Sequence, residues 1–233
     1  MDELSLETYL FISPKNLKIN ILQKKDFKSL YLKEIEVEVE KEKLDFNVLD
    51  DFLENNIFKI ERKINKFIKN INLILDNNEF LTVHLSIKRD YYGNALKKED
   101  LSHLLNKAKY ECKKTINFRK ITHMLIDNYC VDKKNYSSFP ENLKCKNFSL
   151  DIRFICLSKT YLKEIEKVLK KYQITVSHIL NSEYVESFLD QNEKDLFKMS
   201  RKIIDGFNEN EVTIVPKTTS NKGFFEQFFK FFN

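Results

Sequence analysis

Residues 9–40 read YLFISPKNLKINILQKKDFKSLYLKEIEVEVE, and the start of the fold follows from them. Tyr9-Leu10-Phe11-Ile12 is a short apolar run. Leu17, Ile19 and Ile21 then alternate with polar residues. Ile35, Val37 and Val39 alternate with Glu34, Glu36, Glu38 and Glu40, the period of two that marks a half-buried strand. The breaks at Ser13-Pro14-Lys15-Asn16 and Lys24-Lys25-Asp26 are short, which predicts hairpins. From Leu49 the period changes. Leu49, Leu53, Ile57, Ile60, Ile64, Phe67, Ile71 and Leu75 recur every three or four residues, predicting one long helix. Asp45 or Asn47 is placed to cap it, and Asp76-Asn77-Asn78 to end it. The opening order is therefore strand, strand, strand, helix.

A second unit follows. Residues 80–88 and 120–131 read as strands, and residues 97–114 as a helix carrying Leu101, Leu104, Leu105, Ala108 and Cys112. Residues 147–157 alternate through Phe148, Leu150, Ile152, Phe154 and Cys156. Ser158 or Thr160 can cap a helix reaching Tyr172. ITVSHIL is a further strand, followed by a short helix over 182–189. Residues 193–205 predict another helix, EVTIVPK a short strand-like run, and KTTSNK a polar linker.

Composition narrows the function. The 233 residues suffice for one large domain or two small ones. Forty basic against 35 acidic residues leave +5, too small and too dispersed a surplus to predict a nucleic-acid partner. Three glycines offer almost nothing for a backbone loop that wraps phosphate. Cys112, Cys130, Cys145 and Cys156 form no CxxC pair, and the N-terminus has no leader pattern, so a reducing, cytoplasmic setting is expected. The four histidines fall on separate elements without metal-ligand spacing. No nucleophile motif or paired carboxylates stand out, so neither a catalytic set, a cofactor nor a metal is expected.

The last ten residues hold six phenylalanines. At about 100° per residue, Phe224, Phe225, Phe228, Phe229, Phe231 and Phe232 share one face of a helix. Glu226, Gln227 and Lys230 share the other. Burying one Phe contributes on the order of 1.5–3 kcal/mol, enough for several rings to offset the ordering of the segment in a lipid interface. Lys222 and Lys230 add attraction to anionic lipid. Two other readings stand beside this one: a terminal helix packed on the chain's own core, and a helix that docks in a groove of a partner protein.

Residues 121–189 carry a family resemblance. His123, Met124 and Leu125 on a strand, then Tyr129, Val131 and Asp132 at a turn, a loop with Pro140, and an alternating strand, helix and strand resemble the inserted domain of FtsA, the actin-like bacterial cell-division protein. Lys97–Lys109 looks like the helix entering that domain, and the Phe-rich end matches the family's amphipathic membrane helix in place and character. PilM-type proteins share the inserted-domain architecture and give the alternative: a soluble interaction module whose tail docks on a partner. The resemblance implies an α+β chain in four parts. These are a partial actin-like (ribonuclease H-like) βββα subdomain over 1–78, an inserted interaction domain over 79–190, a linker over 191–220, and a membrane helix over 221–233. It implies a non-catalytic, peripheral tether on the inner face of the cell membrane, a docking platform of the divisome at the septum. Its partners would be membrane lipids and bacterial cell-division proteins. The family's first phosphate loop has an acidic residue and a Gly-Thr where this chain has Phe11-Ile12-Ser13-Pro14-Lys15-Asn16. Its second half has no counterpart here. ATP binding is therefore not carried over, and an FtsZ contact and self-association stay open.

Overall fold

The computed structural model describes residues 6–37 and 44–213. The described residues form two compact units, one of residues 6–37, 44–80 and 157–207, the other of residues 81–156 and 208–213.

The first unit is built on a five-stranded sheet. β1 (Leu6–Ile12), β2 (Asn16–Gln23) and β3 (Ser29–Glu36) run as an antiparallel meander. β4 (Asn70–Leu75) and β9 (Thr175–Asn181) extend it in parallel, in the order β3-β2-β1-β4-β9. Three strands are thus present within residues 6–36, and the part of the third predicted strand at Glu38, Val39 and Glu40 lies outside the described residues. β1 and β4 lie between neighbours on both edges, which suits their nearly unbroken apolar runs. α1 (Phe46–Ile64) and α3 (Lys159–Lys171) share one core with Leu10, Ile12, Leu17, Ile19, Ile21, Leu73 and Leu75. Asp45 caps α1, its carboxylate accepting from the Asn47 N–H at 2.9 Å. Ser158 caps α3, accepting from the Tyr161 N–H. On the opposite parity of β1, Tyr9 meets the ring of Phe197 on α5 (Leu196–Ile204), and Glu7 pairs with Arg201 at 3.0 Å. α4 (Ser182–Glu186) follows β9 directly.

The long helix predicted over residues 49–75 is corrected. α1 stops at Ile64, because Asn65 takes a left-handed conformation (φ 52) as its C-cap. Ile71 and Leu75 continue the helical spacing only by coincidence. They belong to β4, where NINLIL is buried between β1 and β9.

The second unit is a four-stranded sheet in the order β5-β8-β6-β7, from β5 (Phe80–Asp90), β6 (Arg119–Val131), β7 (Lys134–Tyr136) and β8 (Asn147–Ser158). α2 (Lys98–Thr115) lays Leu101, Leu104, Leu105, Ala108 and Cys112 against Met124, Ile126, Phe148, Leu150, Ile152 and Phe154. Asp100 reaches back to the Lys97 N–H at 3.0 Å and closes the first turn. The β6–β7 turn puts Asp132 and Lys133 at φ 47 and 71, the pair of positive angles that a tight hairpin needs.

The packing boundaries differ from those read in the sequence. Residues 157–190, expected within the inserted domain, pack in the first unit, because β9 finds its hydrogen-bonding partners on β4. The helix predicted over residues 193–205 is present as α5, with Phe197, Met199 and Ile203 buried. Asn210–Val212 return to the second unit. The Val212 N–H donates to Met124 O at 2.8 Å, and the Ile126 N–H donates to Asn210 O at 2.9 Å.

Candidate functional site

The parallel strands β1, β4 and β9 end in register, with Ile12 beside Leu75 and Leu75 beside Asn181. Their following segments therefore emerge side by side, the place where open α/β sheets receive ligands. At the end of β1 the Ser13–Asn16 turn closes on itself. The Ser13 N–H donates to Asn16 O at 2.9 Å, and the Asn16 N–H to Ser13 Oγ at 2.8 Å. After β4, Asn77 Oδ1 accepts from the Glu79 N–H at 2.9 Å. After β9, Asn181 caps α4 through the Tyr184 N–H at 2.8 Å.

A crevice of about 240 Å³ opens in this unit between Pro14, Phe46, Asn77, Glu79, Tyr161 and Glu164. The N-terminus of α3 faces it, which favours an anion, but Glu79 and Glu164 line it too. Nearby, burial raises the Asp76 carboxyl above its ordinary value, and Glu186 and Glu183 raise it further. The strand ends thus offer mainly carboxylates. The two described glycines, Gly93 and Gly206, lie elsewhere in the chain. Among the described residues no group of three or more His, Cys, Asp or Glu side chains is arranged to hold a metal.

A second concavity, of about 460 Å³, lies where α1 and α3 end. Ile68 folds inward after α1, its N–H donating to Glu61 Oε1 at 2.9 Å. That fold-back leaves Phe67 on the surface, 76 % exposed. Phe58, on the last turns of α1, is 71 % exposed. Ile57 lies in its floor, and Lys69, Lys171 and Tyr172 complete the rim. Tyr172 and Lys171 both bind Asp50 on α1, which pins the two helices together beside the groove. The Lys171 and Tyr172 hydrogen bonds hold the Asp50 carboxyl below its ordinary value. The concavity thus sets two exposed rings within a rim of mixed charge. Sequence periodicity missed it. Phe67 reads as one more inward residue of a long helix, and only the turn at Asn65 sends it outward.

The residues read as membrane-binding, Phe224, Phe225, Phe228, Phe229, Phe231, Phe232, Lys222 and Lys230, lie outside the described residues. The motif residues of the inserted-type segment are placed together on β6 and its hairpin, and their partners are internal. His123 is buried, its Nδ1 2.7 Å from Glu211 Oε1. Met124, Leu125, Tyr129 and Val131 are buried. Asp132 accepts from the N–H groups of Asn147 and Lys146, which hold its carboxyl below the ordinary range. No helix among the described residues is long and apolar enough to cross a membrane.

No family model matches the chain, and no curated protein matches it. Solved structures do. The cytoplasmic domain of EpsL, an inner membrane component of the type II secretion system of Vibrio cholerae, aligns over 78 % of this chain and 59 % of its own, with 9 % identity and a TM-score of 0.41. The PilM–PilN type IV pilus biogenesis complex aligns over 79 % and 49 %, with 10 % identity and a TM-score of 0.46. A Bacteroides thetaiotaomicron protein with an actin-like ATPase fold aligns over 78 % and 55 %, with 15 % identity and a TM-score of 0.34. This chain spans about half to three fifths of the length of those chains. At these identities and scores the similarity assigns no residue a role.

Proposed function

We propose that this chain is a non-catalytic, FtsA-like interaction module held peripherally on the inner face of the cell membrane, with bacterial cell-division proteins as partners. The observation that carries the reading is the sequence of residues 221–233. Six phenylalanines fall on one helical face behind a polar stretch. Partial burial of several rings gives lipid affinity, and Lys222 and Lys230 favour an anionic surface. Tethering raises the local concentration of whatever the module binds without adding a contact. The inserted-type segment, matched through His123, Tyr129, Asp132 and Pro140, supplies the link to the cell-division family.

Co-sedimentation with phosphatidylglycerol vesicles tests the tether. The full chain is expected in the pellet, and the chain lacking 221–233 in the supernatant. Equal pelleting of the two would remove the membrane reading. Binding of the full chain to a partner protein but not to vesicles would favour the soluble, tail-docking alternative.

A further inference from the structure

Phe58 and Phe67 stand 71 % and 76 % exposed on one concavity, though scattered apolar residues on a surface occur singly as a rule. Their neighbours in the groove, Ile57 and Ile68, are buried and continue the apolar floor. Glu54 and Glu61 come from the α1 side, Lys69 and Lys171 from the other ends. The chain itself supplies a segment of matching chemistry. The 20 residues beyond Thr213 end in FFEQFFKFFN, whose charged residues Glu226 and Lys230 are of opposite sign. We propose that this groove binds the Phe-rich segment 224–232 of a second copy of the chain.

Three things support that occupant. The segment's rings match the exposed rings of the groove, and its two charges can each meet an opposite charge on the rim. The segment is also delivered on ten residues, 214–223, which reach to about 35 Å when extended, far enough to leave its own copy. Groove and segment are different surfaces, so a single such contact between two copies is heterologous. Each bound pair keeps one free groove and one free segment. A copy held on lipid by its segment still presents its groove, and so recruits a second copy whose segment is not in lipid. The inference rests on the tail reading above, since it makes lipid and groove rivals for the same rings.

The test uses the full chain carrying Phe228→p-benzoylphenylalanine, mixed in isotopically light and heavy forms, irradiated and mapped by mass spectrometry. Expected are light–heavy cross-links to residues 54–69 and 171–173. Phe58→Ser with Phe67→Ser in the acceptor copy should cut them about tenfold, as should saturating phosphatidylglycerol vesicles. Both substitutions are at exposed positions, so circular dichroism should be unchanged. Cross-links confined to single copies, mapping elsewhere, or indifferent to those substitutions would overturn the proposal. Vesicle binding of the same samples is read separately. Cross-links without vesicle binding would leave this contact standing and remove the tether. Vesicle binding without them would do the reverse.

Discussion

Three carboxylates, Glu7, Glu164 and Asp76, show how differently charge acts across this molecule. Glu7 and Arg201 are mostly buried, and Glu7 accepts from Tyr9 as well, at 2.9 Å. Removing Glu7 leaves a guanidinium with little water and one partner fewer, so Glu7→Ala should cost about 3 kcal/mol in urea unfolding. Glu164 and Lys167 form an exposed pair on α3 at 3.9 Å, and Glu164→Ala should cost less than about 0.5 kcal/mol. Asp76 works in the opposite sense from Glu7. Its folded-state carboxyl is raised by burial and by Glu186 and Glu183. The folded protein therefore binds that proton more tightly than the unfolded chain does. Ionisation of Asp76 costs stability that is lost as pH rises from the ordinary carboxylate value through the raised one. Asp76→Asn should be more stable than the parent at pH 7. The gap should close as pH falls toward about 4, and denaturant midpoints at a series of pH values read it directly.

At the scale of elements, β4 carries the first unit. It pairs with β1 on one edge and β9 on the other, and Leu73 is fully buried in the core under α1 and α3. Leu73→Ala should cost about 2–5 kcal/mol, whereas truncating the exposed Phe58 should change thermal stability little. A Leu73→Ala midpoint equal to that of the parent would contradict the strand assignment. This same element was the one sequence periodicity hid. Ile71 and Leu75 fall in phase with Ile60, Ile64 and Phe67, and the polar residues between them look like a helix surface. A buried parallel strand has no alternation to give it away. Strands with one wetter face were legible. β3 and β8 alternate visibly, α2 and α3 carry apolar stripes, and the structure uses the predicted caps Asp45 of α1 and Ser158 of α3. The groove was not legible, because the exposure of Phe67 depends on the turn at Asn65 and on the Ile68 N–H reaching Glu61.

At the scale of the whole molecule, chain order and packing order part company. Asn72 Oδ1 lies 2.9 Å from His178 Nδ1 across more than a hundred intervening residues, which places β9 beside β4. A reading along the chain groups β9 and α3 with the strands just before them. Only the hydrogen-bonding edge of β4 says otherwise, and no local pattern encodes that edge. The proposed membrane segment, by contrast, is written entirely in local spacing, as six rings on one face of thirteen residues. On that spacing rests the proposal that residues 221–233 order as a helix on an anionic lipid surface. Backbone hydrogen exchange of the full chain, with and without phosphatidylglycerol vesicles, measures this most directly. The amides of 221–233 should gain protection on adding vesicles, while those of β4 and β8 keep theirs. Unchanged exchange over 221–233 at saturating lipid would contradict the tether.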